Sequence, residues 1–177
     1  SLPFFPSFLI YNQLAARLYS IILRPAKSHS QNHIRLILQY SEELVKYAES
    51  GDAVAQCDLG VCYANGSGIA KDSYEAFKWF KLSAEQGYAR GMRELGTCYV
   101  EGLGVEKNEE EGIKLYKLSA EKGDEGAMCC LGTCFYNGYG VSQDYGEAAK
   151  LWKKAAEKGN EDAMDDLGAR FYNGDGV

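Results

Sequence analysis

The chain repeats itself every 36 residues, and this period limits it to folds built from stacked copies of one unit. Aligned with itself at that offset, the sequence matches without a gap from Ala53 to Val177. The recurring residues include Leu59, Leu95, Leu131 and Leu167, then Gly60, Gly96, Gly132 and Gly168, then Tyr63, Tyr99, Phe135 and Phe171. So many matches at one offset indicate an internal repeat, and periods of 20–50 residues are typical of solenoids.

Each unit divides into two predicted helices. The recurring positions of the first, 55, 56, 59, 60 and 63, have the spacing of one helical face over 53–65. Gly60 lies in that face, although glycine costs ~1 kcal/mol relative to alanine inside a helix. We expect its missing Cβ to allow close approach of the partner helix. The Gly-x-Gly-Ile/Val segment that follows predicts a turn with positive φ at the glycines and a buried Ile or Val.

The second helix of each unit has a recognisable beginning and end. An Asx residue followed three positions later by Glu predicts a capping box. These pairs are Asp72/Glu75, Asn108/Glu111 and Asp144/Glu147. The helices are expected to end at Gly87, Gly123 and Gly159, because glycine favours the left-handed stop. A similar ending at Gly51 indicates that 33–50 is the second helix of a degenerate preceding unit.

These patterns predict an all-α fold, in which α/α two-helix repeats stack into a right-handed superhelical solenoid. The three prolines all lie within the first 25 residues, so the rest of the chain is free to be helical. The predicted segments are 1–32, an N-terminal apolar helix and polar linker; 33–52, the second helix of a degenerate repeat; 53–88, 89–124 and 125–160, three repeats; and 161–177, the first half of an incomplete fourth repeat.

The units resemble the Sel-one-like repeat, a relative of the tetratricopeptide repeat with a longer turn inside each repeat. The resemblance rests on Ala-x-x-x-Leu-Gly-x-x-Tyr-x-x-Gly-x-Gly-Val-x-x-Asp-x-x-x-Ala-x-x-Trp/Tyr-x-x-x-Ala-x-x-Gly, legible from Ala53 to Val177. It implies an adaptor-like protein that holds partner proteins together. Such proteins bear on host interaction and envelope processes in bacteria, and on membrane-protein quality control in the endoplasmic reticulum in eukaryotes.

A secreted, cysteine-rich bacterial subfamily of these repeats is reported to bind or hydrolyse β-lactams. It places a cysteine near the end of the second helix, where this chain has Ala84, Ala120 and Ala156. The departure weighs against a disulfide ladder and against the β-lactam function. We therefore predict a non-catalytic scaffold, with β-lactam binding or hydrolysis and an endoplasmic-reticulum adaptor as the alternatives.

In solenoids of this kind the first helices line the concave surface. Positions 57, 58, 61 and 65 and their equivalents vary between units and form a mixed polar stripe with an acidic bias. We expect this stripe to be exposed and to receive an extended peptide or a partner helix; the alternative is an ordinary solvated face. The predicted partner-binding residues are Asp58, Val61, Asn65, Arg93, Glu94, Thr97, Glu101, Thr133 and Asn137.

Charge and residue chemistry argue against several other functions. The net charge is -6 and there is no Lys/Arg cluster, so nucleic acid is not an expected partner. His29 and His33 have metal-ligand spacing but lie in a polar linker, and the acidic run 109–111 suits the first turn of a helix. No nucleophile–base pair stands out. The sequence predicts no enzyme, no cofactor and no metal.

The cysteines and aromatic residues mostly occupy repeat positions. Equivalent residues in adjacent repeats should lie ~8–10 Å apart, too far for a disulfide. We therefore expect Cys62, Cys98 and Cys134 to be small buried hydrophobic residues, in a reducing compartment. Trp79 and Trp152 are expected to be core residues. The predicted location is the cytoplasm.

The two ends of the chain are not explained by the repeat. Residues 1–23 are apolar but interrupted by polar side chains, which favours a capping helix over a membrane-associated or targeting segment. Asn65-Gly66-Ser67 is a glycosylation sequon, relevant only in the alternative endoplasmic-reticulum or secretory location. The sequence stops inside a turn at Val177, so we expect either a longer natural protein or self-association through the incomplete repeat.

Overall fold

The structure is a computed structural model that describes residues 42–173, with side chains as far as 170. The helices in this range are α1 (Glu42–Glu49), α2 (Ala53–Asn65), α3 (Ser73–Glu85), α4 (Ala89–Glu101), α5 (Glu109–Glu121), α6 (Glu125–Asn137), α7 (Tyr145–Glu157) and α8 (Glu161–Asn173). No strand occurs among these residues. The predicted apolar segment 1–23, the histidine pair at 29 and 33 and the last residues, 174–177, lie outside this range.

Each of these helices packs against the next along the chain, and each repeat pairs one first helix with one second helix. The first helices are α2, α4, α6 and α8, and the second helices are α3, α5 and α7. Contacts also join α2 to α4 and α4 to α6, so neighbouring first helices pack side by side. The chain is an all-α repeat solenoid, as predicted. Within residues 42–173, no helix is both long and apolar enough to cross a membrane.

The glycine inside each first helix permits the close contact that its position predicts. A Cβ built on Gly60 would lie 2.6 Å from the Phe80 ring, which is closer than real Cβ atoms approach. The corresponding distances are 2.9 Å from Gly96 to Tyr116 and 2.8 Å from Gly132 to Trp152. Around Gly168 no atom of the described residues lies within 4 Å. In the three complete pairs, the ring of the second helix therefore rests on bare backbone.

The turn between the two helices also follows the prediction. Gly66 and Gly68 have φ of 72° and 77°, and their equivalents in the next two units lie between 63° and 75°. Ile69, Val105 and Val141 each pack partly buried against a core cluster. The second helices end with Gly87, Gly123 and Gly159 at φ of 80°, 91° and 94°. Glycine is needed at these places because side chains disfavour positive φ.

The capping-box prediction is correct in its first half and wrong in its second. Asp72 Oδ1 accepts hydrogen bonds from the backbone N–H of Tyr74 and Glu75 at 2.9 and 3.1 Å. The Asp72 N–H, however, donates to the Tyr63 carbonyl at 2.9 Å instead of to the glutamate. Glu75 pairs with Lys78 at 2.7 Å. The same arrangement recurs in the next two units, because the chain returning from the turn already satisfies the cap N–H.

The cores lie between consecutive repeats and contain the predicted cysteines. Cys62, Cys98 and Cys134 are each 3% exposed, which confirms that they are small buried residues. Trp152 is buried as predicted, whereas Trp79 is half-buried. Two buried serines make contacts that the sequence analysis missed. The buried hydroxyls donate from Ser83 to the Ala53 carbonyl at 2.6 Å and from Ser119 to the Ala89 carbonyl at 2.7 Å.

Candidate partner-binding groove

A groove of about 680 Å³ is lined by α2, α4 and α6 and by the beginning of α8. Five of the nine predicted partner-binding residues line it, namely Asp58, Val61, Asn65, Arg93 and Glu94. Two consecutive first helices, α2 and α4, therefore bring these side chains together on one surface.

The other four predicted residues lie elsewhere. Thr97 lines a smaller adjoining pocket, together with Val61, Asn65 and Glu94. Glu101 is exposed at the end of α4. Thr133 donates to the Cys129 carbonyl at 3.2 Å, and Asn137 donates to the Thr133 carbonyl at 3.0 Å. Both of these side chains bond within their own helix rather than lining the groove.

The charged side chains of the groove form a continuous chain of ion pairs across three helices. Arg90 Nη1 lies 2.8 Å from Asp58 Oδ1, and Arg90 Nε lies 3.7 Å from Glu94 Oε1. Arg93 continues the chain, with Nη2 at 3.0 Å from Glu94 and Nε at 3.0 Å from Asp124 Oδ1. These side chains retain only 12–24% exposure. Because α2 is linked to α4 and α4 to α6, the stripe also joins neighbouring repeats.

Local structure explains how Arg93 reaches the next repeat. Asp124 is the N-cap of α6, and its Oδ1 accepts the Ala127 N–H at 2.7 Å while it faces Arg93. A Cβ on Gly126 would lie 2.8 Å from Arg93 Nε, so glycine there leaves room for the guanidinium. Burial acts to lower the pKa of Arg93, but the Glu94 and Asp124 carboxylates outweigh it and the pKa is raised. The cation is therefore held firmly in its charged form.

The prediction that position 57 is exposed is wrong, and so is the same prediction for its equivalent, position 129. Cys57 is fully buried, because it packs against Ala76, Phe80 and Leu95 in the core between two repeats. Cys129 is also buried. Burial raises the pKa of both thiols to about 12. Cys57 does not line the groove, whereas Cys129 contributes to its lining although it is only 8% exposed.

Sequence reasoning missed two members of the ion-pair chain. Arg90 stands where the other complete units have Val54 and Gly126, one turn before the positions that defined the stripe. Asp124 is an Asx residue directly before a predicted helix, which is a recognisable N-cap signal. The signal for a cap was thus present, but its pairing with a side chain 31 residues earlier depends on how the repeats stack.

The groove residues are suited to polar contacts with a partner rather than to a chemical reaction. All six cysteines are free thiols, and Cys130, which lines the groove partly exposed, has its pKa raised by burial to about 11. A thiol with so high a pKa is a poor nucleophile near neutral pH. Over residues 42–173, no group of three or more acidic, histidine or cysteine side chains is arranged to hold a metal ion.

Comparison with known proteins identifies the repeats. The family model for the Sel1 repeat matches residues 53–88, 89–124 and 126–160. No curated protein matches the sequence. Among solved structures, a protective antigen of uropathogenic Escherichia coli strains that displays an SLR fold is 38% identical, with a TM-score of 0.68. A Sel1 repeat protein from Oxalobacter formigenes is 34% identical, with a TM-score of 0.67.

The matched lengths differ between these structures. The alignments cover 77% and 76% of this chain, but only 29% of the Escherichia coli antigen and 55% of the Oxalobacter protein. The chain thus spans much less than the full length of either. Helicobacter pylori cysteine rich protein B is 24% identical, with a TM-score of 0.55, covering 81% of this chain and 100% of that protein. At that identity the likeness concerns the fold alone.

Proposed function

The chain belongs to the Sel1 repeat family, and we propose that it is a non-catalytic adaptor that binds a polypeptide partner in the groove of its first helices. Proteins of this family are generally protein-interaction scaffolds. The proposal adds the binding surface and the absence of catalysis, neither of which follows from membership of the family.

The observation that carries the proposal is the groove itself. Its volume of about 680 Å³ lies within the range of ligand-binding clefts, ≈ 300–1,000 Å³. Three complete repeats and the beginning of the fourth contribute to it, and the residues that line it differ from one repeat to the next. An extended peptide or a helix laid along the groove would meet a different set of side chains at each repeat, which is a basis for specificity.

The ion pairs determine which groove residues are suitable for a test. Arg93→Glu would place a carboxylate beside Asp124, so a loss of binding could result from weakened stacking of the repeats. Glu125 and Asp162 also line the groove and form no ion pair within the described residues. Replacing them with arginine reverses the charge of the groove while the existing ion pairs remain.

The test uses random-peptide phage display on the immobilised chain, followed by affinity measurements on the selected peptides. We expect them to lose at least about tenfold in affinity for Glu125→Arg/Asp162→Arg, the equivalent of one 1.4 kcal/mol contact. Lys117→Glu, on the exposed outer face of α5, is the matched control and should bind like the wild type. Peptides that bind the double variant as well as the wild type would exclude the groove as the binding surface.

No feature of the described residues favours β-lactam chemistry or a place in endoplasmic-reticulum quality control, and both alternatives stay predictions. Hydrolysis of nitrocefin by the purified chain would contradict the absence of catalysis.

A further inference from the structure

A smaller pocket of about 360 Å³ opens beside the groove, between α2, α3 and α4. Its apolar lining consists of Val61, Ala64, Ala76, Phe80, Cys98 and Leu103. It shares Val61, Asn65, Arg90 and Glu94 with the groove. A single bound segment can therefore occupy both, with its backbone in the polar groove and one side chain in the apolar pocket.

The corresponding position of the next repeat holds a larger side chain. Val100 stands there in place of Ala64 and packs into the core with Ile113, Leu131 and Cys134. A Cβ on Gly112, the equivalent of Ala76, would lie only 2.5 Å from Val100 Cγ2, so the valine needs a glycine opposite it. The first repeat thus has alanine at both positions where the second has valine and glycine.

The charged residues at the mouth of the pocket also differ between the first and second repeats. Lys107 Nζ lies 2.7 Å from Glu109 Oε1 at the second repeat. The equivalents at the first repeat are Lys71, which lines the pocket, and Ser73, which has no charge. Lys71 forms no ion pair within residues 42–173. The first repeat therefore lacks the carboxylate that pairs with the equivalent lysine in the second.

We propose that this pocket anchors the partner polypeptide through one large apolar side chain with an acidic side chain beside it. The partner would supply an apolar side chain to the apolar lining of the pocket and, beside it, the carboxylate that Glu109 supplies at the second repeat. Charge complementarity favours an acidic neighbour over a basic one, since Lys71 lies at the mouth without a counter-charge. This inference rests on the proposed function and names the partner chemistry at one end of the groove.

The test closes the pocket with residues that the chain already uses. Ala64→Val/Ala76→Gly/Ser73→Glu copies the second repeat into the first, and because the same residues fit together there, the variant is expected to fold. Peptides selected on the wild type should contain Leu, Ile, Met, Phe or Trp next to Asp or Glu. Their affinity for the triple variant should fall about tenfold or more, the effect of losing one buried apolar side chain. Lys117→Glu again serves as the matched control.

A second variant keeps the test independent of core packing. Lys71 is exposed, so Lys71→Glu should leave the fold unchanged, which circular dichroism checks. It should bind the same peptides more weakly than the wild type does. The affinity of the wild type for these peptides should decrease as the salt concentration rises.

The outcomes separate the two proposals. Peptides that lose affinity for Glu125→Arg/Asp162→Arg but bind both pocket variants unchanged would overturn the anchor pocket and leave the groove supported. Selected peptides with basic rather than acidic neighbours, or binding through a second copy of this chain, would also overturn it. Peptides insensitive to the groove variant, or a library that yields no binder, contradict the proposed function as well.

Discussion

Two interfaces of the solenoid share one backbone plan and differ in how they are filled. The first interface is that of repeat 1 (α2 and α3) with α4, and the second is that of repeat 2 (α4 and α5) with α6. In both, a ring from the second helix rests on a glycine of its first helix. At the second interface the ring is Tyr116, whose hydroxyl lies 3.0 Å from Thr97 Oγ1. At the first it is Phe80, opposite Val61, beside an open pocket.

The repeat therefore tolerates local changes in side-chain volume and charge without a change of architecture. Backbone hydrogen bonds, glycine turns and ring–glycine contacts recur in both, so these contacts specify the fold. Positions 64, 73, 76 and 80, by contrast, differ in side-chain volume or charge between the two interfaces. A partner can therefore be recognised at one repeat of a nearly uniform structure.

Among substitutions at these two interfaces, we expect those of the helical glycines to change the free energy of unfolding most. Gly96→Ala should destabilise the protein by about 1–3 kcal/mol, because the new Cβ would meet the Tyr116 ring at 2.9 Å and the Gly112 carbonyl at 3.1 Å. Gly60→Ala should cost less, although the Phe80 ring is nearer, because that ring can move towards the adjoining pocket. Urea unfolding followed by circular dichroism measures both.

Gly168→Ala is the matched control for the glycine series. No atom of the described residues lies within 4 Å of a Cβ at that position, so the helical preference of alanine should stabilise α8 by up to about 1 kcal/mol. Equal costs at Gly60 and Gly96 would show that the first interface is packed as tightly as the second.

The ion pairs across the two interfaces should differ by a smaller amount. Asp124→Ala removes both the N-cap of α6 and the partner of Arg93, so we expect a loss of about 1–2 kcal/mol. Asp58→Ala removes only the partner of Arg90, and a loss of at most about 1 kcal/mol is expected. High salt should reduce the ion-pair contribution to stability at both sites. The contribution of Asp124 as N-cap of α6 should then account for the remaining difference between the two variants. A greater loss for Asp58→Ala in urea unfolding would contradict this ranking.

Much of this structure follows from the sequence because its determinants are local. The period of 36 places the helices, and residues such as Gly66 and Asp72 act on backbone within a few positions of themselves. Gly60 was also predictable, since a repeated glycine within a helical face needs a close neighbour. The reciprocal half of the capping box failed because the Asp72 N–H bonds to a carbonyl nine residues earlier.

The groove was only partly predictable because its contacts join residues in different repeats. Arg90 lies on α4 and Asp58 on α2, and their pairing depends on the rotation of one repeat relative to the next. The same rotation buries Cys57, which the variable stripe had placed on the surface. The pocket required knowledge of which side chains face each other, since the exchange of Ala64 and Ala76 for Val100 and Gly112 is unremarkable until the two positions are seen to be in contact.

The mildest test compares two buried thiols that differ in access. Cys98 lines the pocket of the first interface, and Cys134 is its equivalent at the second; each is 3% exposed. Burial raises the pKa of both to about 12, so between pH 7 and 10 their thiolate fractions should rise equally, about tenfold per pH unit. A difference in their labelling rates would then report access rather than ionisation.

We expect N-ethylmaleimide to label Cys98 several-fold faster than Cys134 in the folded protein, as followed by mass spectrometry. The experiment is best done with Cys130→Ser, because Cys130 is partly exposed and lies one turn before Cys134. The rate ratio should stay constant with pH and approach one in Ala64→Val/Ala76→Gly/Ser73→Glu. A ratio that is close to one in the parent protein, or that survives closing the pocket, would mean that local opening of the helices exposes both thiols alike.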